Sequence, residues 1–281
     1  MRHILQNNKK GFTLVEILVI APIVILVIGA FVTVIVNLTG QVLSSRASSN
    51  LAYDIQDALN RIEQDIKISN KFLAVNNITP LITPQGYDDS TLDFTNVSTT
   101  YPNALILEEY AITNNPASST RNLLYLNTPN ACNSALLTQN QPMKMNVIYF
   151  VKNNILWRRI VMPSNYKTAG CDAKTPAVSP VIPWQQPSCE PSRSEVLCES
   201  KDVKLVDGIS NVSDFDIQYF SSPDSATKIY DATDNTKSSP ARDTALQPAN
   251  TAQVTINSSK DVAGRTVGQT GAVRASNSSN N

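Results

Sequence analysis

The longest apolar block of the chain lies near its N-terminus. Residues 17–32 are apolar without a break, and the block continues with few polar positions to Leu38. A helix over residues 12–38 would be about 40 Å long, enough to cross the ~30 Å hydrocarbon core of a bilayer. The pattern therefore predicts a transmembrane helix. Pro22 predicts a kink or local melting near Leu18, because proline lacks a backbone donor and crowds the carbonyl four residues back.

After the span the apolar positions become periodic. Large apolar side chains recur every three or four residues, at Leu51, Ile55, Leu59, Ile62 and Ile66. Charged side chains occupy the other faces, so this spacing predicts an amphipathic helix over residues 39–70. We expect one continuous helix, from about residue 13 to residue 68, whose second half packs its apolar stripe on a sheet. The stripe covers about two heptads, which is too short for a coiled-coil seam.

Beyond residue 70 the pattern is that of short strands joined by polar and proline-rich loops. Two apolar runs flank Asn153 and Asn154 and predict a β-hairpin, because asparagine tolerates the positive φ that such a turn needs. Strands are predicted over residues 104–113, 122–126, 147–152, 155–161, 214–220 and 254–256. Together these elements predict an α+β fold, with the long N-terminal helix packed on an antiparallel β-sheet in a globular domain of residues 71–263. Residues 264–281 are rich in Ser, Asn and Gly and predict a disordered tail.

The histidine content limits the chemistry of the chain. The sole histidine, His3, lies in the basic segment that precedes the span. The rest of the chain therefore lacks the base of a Ser-His-Asp or Cys-His arrangement and the imidazole ligand of a zinc site. The 23 basic and 23 acidic side chains balance, which does not favour DNA or an anionic surface as the main partner. We expect a protein that is not an enzyme and that uses no cofactor or metal.

The four cysteines, Cys132, Cys171, Cys189 and Cys198, indicate the compartment. None of them forms a C-x-x-C pair, which argues against zinc and thioredoxin-like sites. An even number in a domain that follows a membrane span favours disulfides in an oxidising exterior. Three connectivities are open, and we favour Cys189–Cys198 with Cys132–Cys171. Four free buried thiols are the alternative.

Two tryptophans lie beside residues that are typical of ligand sites. Trp157 is followed by Arg158 and Arg159, but neighbours on a strand point to opposite faces, so the two arginines cannot form one basic patch. Trp184 lies among prolines and glutamines. We expect Trp184 to cover a loop rather than to bind a sugar.

A motif joins the basic leader to the apolar block. Two lysines precede Gly11 and Phe12, three residues follow, and Glu16 stands directly before the span. This arrangement resembles the type IV prepilin signal, which has a basic leader, Gly, Phe, a short run, Glu and then a long apolar helix. The resemblance implies that residues 1–11 are a leader peptide. It also implies that a prepilin peptidase cuts between Gly11 and Phe12 on the cytoplasmic side and then N-methylates Phe12.

Glu16 places a carboxylate at the edge of the span, where a charged side chain costs several kcal/mol. The amine that cleavage would create at Phe12 lies at a helix N-terminus, where the helix dipole disfavours a cation. A carboxylate four residues later lies on the same face and can neutralise that amine, within one subunit or in a neighbouring subunit of a filament. We therefore predict an assembly charge pair of Phe12 and Glu16, which a monomer in lipid largely lacks.

The exterior half carries a more diffuse resemblance. The hairpin of residues 147–159 and the stretches 206–210 and 215–219 are similar to the larger J-type pseudopilins of type II secretion and to W-type minor pilins. The resemblance implies a pilin-like fold and a structural subunit of a type IV pilus or a type II secretion pseudopilus. Such a minor pilin would initiate or support filament assembly. The alternative is an adhesin or DNA-uptake subunit displayed on a pilus.

The same resemblance implies partners and a location. The partners would be the prepilin peptidase, other pilin or pseudopilin subunits, the inner-membrane assembly platform, and membrane lipid before assembly. Nothing in the sequence singles out DNA or a glycan as a ligand of the exterior domain. The basic leader predicts a cytoplasmic N-terminus and a single pass through the cytoplasmic membrane. The assembled subunit would lie in a cell-surface pilus or a periplasmic pseudopilus.

Overall fold

The structure is a computed structural model, and it describes most of the chain. The described residues are 13–78, 92, 94–95, 103–126, 132, 141–172, 179–193, 199–231 and 239–278. The predicted leader, including Gly11, and Phe12 lie outside this part. Every structural statement below concerns the described residues.

One long helix, α1 (Leu14–Ile68), begins the described chain. It has 55 residues and is therefore about 80 Å long at 1.5 Å per residue. Its bounds agree with the predicted helix. The helix is continuous across Pro22, so the local melting expected there is not observed. One missing backbone hydrogen bond does not break a helix that has regular turns on both sides.

The rest of the chain is rich in strands. Two short helices follow, α2 (Tyr166–Ala169) and α3 (Ser239–Leu246), with a 3-10 turn at Val212–Asp214. The strands are β1 (Lys71–Leu73), β2 (Leu105–Tyr110), β3 (Leu124–Leu126), β4 (Lys144–Lys152), β5 (Ile155–Val161), β6 (Gly170–Asp172), β7 (Ser188–Cys189), β8 (Ser200–Lys201), β9 (Val203–Asp207), β10 (Phe215–Phe220), β11 (Tyr230–Asp231), β12 (Thr251–Val262) and β13 (Arg265–Ser276).

The strands form two main sheets where the sequence predicted one. The first has the order β1-β2-β4-β5-β9 and the second the order β11-β10-β12-β13, with antiparallel neighbours throughout. Two small pairs complete the described part, β3 with β6 and the parallel pair β7 with β8. The β4–β5 hairpin turns at Asn153 and Asn154, which have φ of 54° and 60°. This turn is confirmed as predicted.

The amphipathic half of α1 supplies the centre of the main core. All five residues of the predicted stripe are buried, and they share one cluster with apolar side chains of both main sheets. Alternate residues of β2 and β4 enter this cluster, including Leu107 and Val147. Their neighbours, including Ile106 and Ile148, enter a second cluster on the other face of the first sheet. The first sheet is thus covered on both faces, and its strands carry apolar residues in nearly continuous runs.

The prediction of a disordered tail after residue 263 is wrong. Residues 265–276 form β13, which pairs with β12 in register from Val262–Arg265 to Thr251–Ser276. The two strands are joined by Ala263 and Gly264, whose φ values of 52° and 74° suit a two-residue hairpin turn. The chain then returns to the end of α1, where Ser278 donates from its backbone N and its Oγ to the Ser69 carbonyl at 3.1 and 2.9 Å.

Gly271, one of the glycines that made this segment resemble a tail, has a packing role. α1 packs on β12 and β13, and at Gly271 the helix side chains lie directly over the strand backbone. A Cβ on Gly271 would lie 2.6 Å from Ile55 Cγ2 and 2.8 Å from Leu59 Cδ1. Glycine in a strand often marks such a close approach. Its low strand propensity therefore concealed a contact that the fold requires.

Disulfide bonding agrees with one of the two favoured pairings. Cys132 and Cys171 are joined, with their Cα atoms 5.6 Å apart. The bond ties the 132 region to β6. Cys189 is also disulfide-bonded, and Cys198 lies outside the described residues.

We expect Gly271→Ala to destabilise the fold by about 1–3 kcal/mol, because overpacking a tight contact forces side chains or backbone to shift. The matched control is Gly268→Ala on the same strand, where the nearest atom to the added Cβ is the Ser258 carbonyl oxygen at 3.7 Å. The measurement is thermal unfolding of the full chain in detergent micelles. Equal unfolding temperatures for the two variants would show that α1 does not press on β13.

Candidate functional site

The first turn of α1 contains a complete capping box. The Thr13 backbone N and its Oγ1 both donate to Glu16 Oε2 at 2.9 Å, and the Glu16 backbone N donates to Thr13 Oγ1 at 3.3 Å. Thr13 is the N-cap and Glu16 is the third helical residue. The spacing from Thr to Glu satisfies otherwise unpaired donors at a helix start and places a carboxylate where the helix dipole favours it.

This box changes the interpretation of Glu16. The sequence prediction treated its carboxylate as largely unpartnered in a monomer, whereas the structure gives Oε2 two donors from Thr13. The motif Thr-x-x-Glu is a capping signature in its own right, so Thr13 could have been identified from the sequence. Phe12, the predicted partner of Glu16, lies outside the described residues.

Residues 14–39 of α1 are all exposed in the described part of the chain. Its large apolar side chains from Leu14 to Leu43 are exposed, with values as high as 80% for Leu14. Its most apolar window has a mean hydropathy of 3.1, and none of that window is buried. By length and composition α1 is a candidate single membrane span, and no other described helix qualifies. The helix leaves the domain as an unsupported apolar rod.

The β12–β13 hairpin reaches the C-terminal end of this rod. Ala263, at the hairpin turn, lies against Gly40 with its Cβ 4.0 Å from the position of an added Cβ. A small cleft there is lined by Val36 and Leu43 of the helix and by Arg265 of the hairpin. The hairpin turn thus marks the end of the rod nearest the globular domain.

A buried polar joint fixes the last turns of α1 to the first sheet. Asp65 Oδ2 accepts from Tyr149 Oη at 2.5 Å and from Arg158 Nε at 2.6 Å. Burial and the charge of Asp65 raise the pKa of Tyr149 well above its ordinary value, so the phenol remains a donor. A buried charge that keeps a partner and a hydrogen bond fixes one orientation of the elements it joins.

Arg159 lies on the opposite face of β5, as the alternation of strand side chains predicts. Its guanidinium is fully buried and donates to both Asp202 carboxylate oxygens, with Nη2 2.7 Å from Oδ2. Its Nη1 donates to the Leu92 carbonyl at 3.0 Å. The two adjacent arginines therefore serve separate ion pairs and form no common basic surface. The strand that carries them, β5, has buried and half-buried residues and no exposed one.

Glu109 is a buried carboxyl beside the Asp65 joint that the sequence did not single out. Its Oε1 has no hydrogen-bond partner. Burial raises the pKa of Glu109 well above its ordinary value, and the negative charge of Asp65 raises it further against the attraction of Arg158. The surroundings of this carboxyl therefore favour its protonated form.

In the described part of the chain, no group of three His, Cys, Asp or Glu side chains could hold a metal ion.

Comparison with protein-family models, curated proteins and solved structures finds no match to this chain. The first turn of α1 and the exposed rod that follows it are the features from which a function can be argued.

We expect Glu109→Gln to become increasingly stabilising as the pH rises from about 4 to 7. The folded chain holds the Glu109 proton above the ordinary glutamate pKa of about 4.3, whereas the unfolded chain releases it there, so wild-type stability falls with rising pH across this window. Because glutamine does not titrate, the variant does not lose this stability as the pH rises. The measurement is the unfolding temperature of both proteins at several pH values.

The control for this variant is Glu63→Gln, on a half-exposed side chain of α1 that pairs with Lys67. Its effect should stay small at every pH, because exposed ion pairs contribute at most about 1 kcal/mol. A Glu109→Gln protein with the same pH slope as the wild type would show that Glu109 is ionised in the fold.

Proposed function

We propose that this chain is a structural subunit of a pilin-like filament, a type IV pilus or a type II secretion pseudopilus. It is cut by a prepilin peptidase between Gly11 and Phe12, N-methylated at Phe12, and assembled as a minor subunit that initiates or supports the filament. The observation that carries the proposal is the exposed apolar rod, continuous with the helix that organises the domain and starting directly behind the cleavage motif.

The rod needs an apolar environment. Burying one large aliphatic side chain is favourable by about 1.5–3 kcal/mol, and the first half of α1 exposes some twenty of them. Lipid satisfies this requirement before assembly. Packing against the same helix of neighbouring subunits satisfies it afterwards, and the continuity of α1 carries that packing to the globular domain.

The Glu16 carboxylate at the N-terminal end of the rod favours the assembled state over the monomer. The Thr13 capping box supplies hydrogen bonds to Glu16, but it supplies no positive charge. Cleavage at Phe12 creates an amine within reach of that carboxylate in the same subunit or in a neighbour. Pairing the two removes the cost of an isolated carboxylate in an apolar medium, and a packed filament offers more partners than lipid does.

The exterior domain is consistent with a position outside the cytoplasm. Its Cys132–Cys171 disulfide belongs to an oxidising compartment, and the basic leader favours a cytoplasmic N-terminus. In this proposal the subunit is a substrate of the peptidase and not an enzyme. Its other partners are sister subunits and the inner-membrane assembly platform.

The primary test is the N-terminus of the protein isolated from its own cells. Mass spectrometry should show N-methylated Phe12 as the first residue. The Gly11→Val variant should remain uncut and stay in the membrane. A native protein that still begins with Met1 would end the filament proposal.

The second test concerns Glu16. Glu16→Ala should insert into the membrane normally but enter filaments at least about tenfold less, since losing about 1.4 kcal/mol of charge pairing already gives that factor. The measurement is the ratio of subunit in the filament fraction to subunit in the membrane fraction. Thr13→Val is the matched control, because it removes the capping hydroxyl and leaves the carboxylate. If both variants lose incorporation equally, the capping box accounts for the defect and the charge pair does not.

A further inference from the structure

A groove lies at the far end of α1 from the exposed rod. Its volume is about 400 Å³, and it is lined by the last turns of α1, the end of β2 and the segment before β7, including Asp65, Glu109, Arg158, Trp184 and Gln185. A second hollow of about 260 Å³ shares Glu109 and Gln185 with it. About twenty helical residues separate the groove from the end of the rod, a distance on the order of 30 Å. The groove therefore lies well clear of the exposed rod.

Glu109 contributes to the groove lining a buried carboxyl with one oxygen that has no hydrogen-bond partner. Its side chain is 2% exposed, and Oε1 accepts no hydrogen bond from the protein. A buried polar atom without a partner costs about 1–3 kcal/mol, and native proteins retain few such atoms. Asp65 and Arg158 satisfy each other beside it. Glu109 lines the groove, and no hydrogen bond within the described residues uses its Oε1.

Trp184 gives the groove an aromatic rim. It belongs to a strap, residues 182–187, in which Pro183, Gln185 and Pro187 are buried and the residues between them are exposed. The Trp184 backbone N donates to the Ile112 carbonyl at 2.8 Å, and Gln185 Oε1 accepts from the Ile112 backbone N at 3.1 Å.

The Trp184 side chain is 51% exposed on this anchored backbone. About half of the side chain is covered, so the expectation that Trp184 covers a loop stays a prediction. A half-exposed indole on an anchored backbone beside a polar pocket loses little backbone freedom on binding a ligand.

The charges of the groove select the class of ligand. Asp65 and Arg158 neutralise each other, and the exposed Arg61 remains as a positive charge on the walls of the groove. A nucleic acid phosphate would meet Asp65, and a basic peptide would meet Arg61 and Arg158. What remains is an aromatic face, side-chain amides and a buried carboxyl, in a volume within the usual range of about 300–1,000 Å³ for small-molecule sites.

We propose that this groove binds a neutral saccharide, with one sugar ring against Trp184 and a hydroxyl hydrogen-bonded to Glu109. The apolar C–H face of a pyranose ring fits the electron-rich face of an indole. Its hydroxyls both donate and accept, as a buried carboxyl and neighbouring amides require. The inference goes beyond the proposed function and does not depend on filament assembly.

The test is saturation-transfer NMR on the full chain, solubilised in lauryldimethylamine oxide because a sugar-headed detergent would compete. The probes are glucose, galactose, mannose, N-acetylglucosamine and N-acetylgalactosamine, together with cellobiose, lactose and chitobiose. At least one probe should receive saturation at a concentration of about 1–10 mM, which corresponds to weak binding. No transfer to any of them at about 50 mM would overturn the proposal.

The variants assign the binding to this groove. Trp184→Ala and Glu109→Ala should each weaken binding about tenfold or more, whereas Glu109→Gln should stay within about threefold, because glutamine keeps a donor and an acceptor. The matched control is Ile182→Ala, which removes a similarly exposed side chain from the same strap outside the groove lining. Its binding should equal that of the wild type.

Three results would overturn this assignment. The first is binding that Trp184→Ala leaves intact. The second is equal loss in Glu109→Gln and Glu109→Ala when thermal unfolding shows both proteins folded. The third is a Trp184-dependent affinity for an oligonucleotide or a basic peptide in place of every sugar, which would assign the groove to a charged partner.

A separate experiment distinguishes polymeric glycans from free sugars as the ligand. Co-sedimentation with insoluble peptidoglycan and with chitin tests polymeric glycans, and the NMR panel tests free sugars. Binding in either arm supports the proposal when Trp184→Ala abolishes it.

Discussion

The contact between the apolar stripe of α1 and the β12–β13 ribbon sets the position of every other part of the molecule. Ile55 and Leu59 lie so close to the ribbon that only glycine fits at position 271. The same helix reaches the first sheet through Asp65, which binds Tyr149 and Arg158. Because the helix is continuous, fixing its second half to the sheets also fixes the direction in which its exposed first half leaves the domain.

The two halves of α1 therefore lie in different environments. Its second half is stabilised by packing in the core of the domain, whereas its first half gains nothing from the domain and needs lipid or other helices. Because the helix is continuous between the two halves, the position of the rod is coupled to that of the globular domain. The turn of the β12–β13 hairpin, at Ala263 near Gly40, lies where these environments meet.

Buried charge has two different uses in this fold. Arg159 and Asp202 satisfy one another inside the second core, and Arg158 and Asp65 join helix to sheet. Glu109 differs from both, since it is buried without a partner for one of its oxygens. This unpaired oxygen belongs to a side chain that lines the same groove as the half-exposed Trp184.

The sequence alone determined the features that depend on local order. Helical periodicity predicted α1 and its buried stripe, the Asn153–Asn154 turn was predicted from the φ preference of asparagine, and the alternation of strand side chains separated Arg158 from Arg159. The Thr13–Glu16 capping box was equally readable from its spacing, because all its contacts lie within one turn.

Only the tertiary structure decided the rest, because those features depend on groups far apart in the chain. The segment after residue 263 resembled a disordered tail by composition, yet residues 265–276 form β13. Gly271 lets α1 pack directly on the backbone of this strand. The burial of Glu109 and the exposure of Trp184 arise where three separate segments meet. Local sequence reports which conformations a residue prefers, but whether a side chain meets solvent, a partner or an empty groove is decided by the packing of the whole chain.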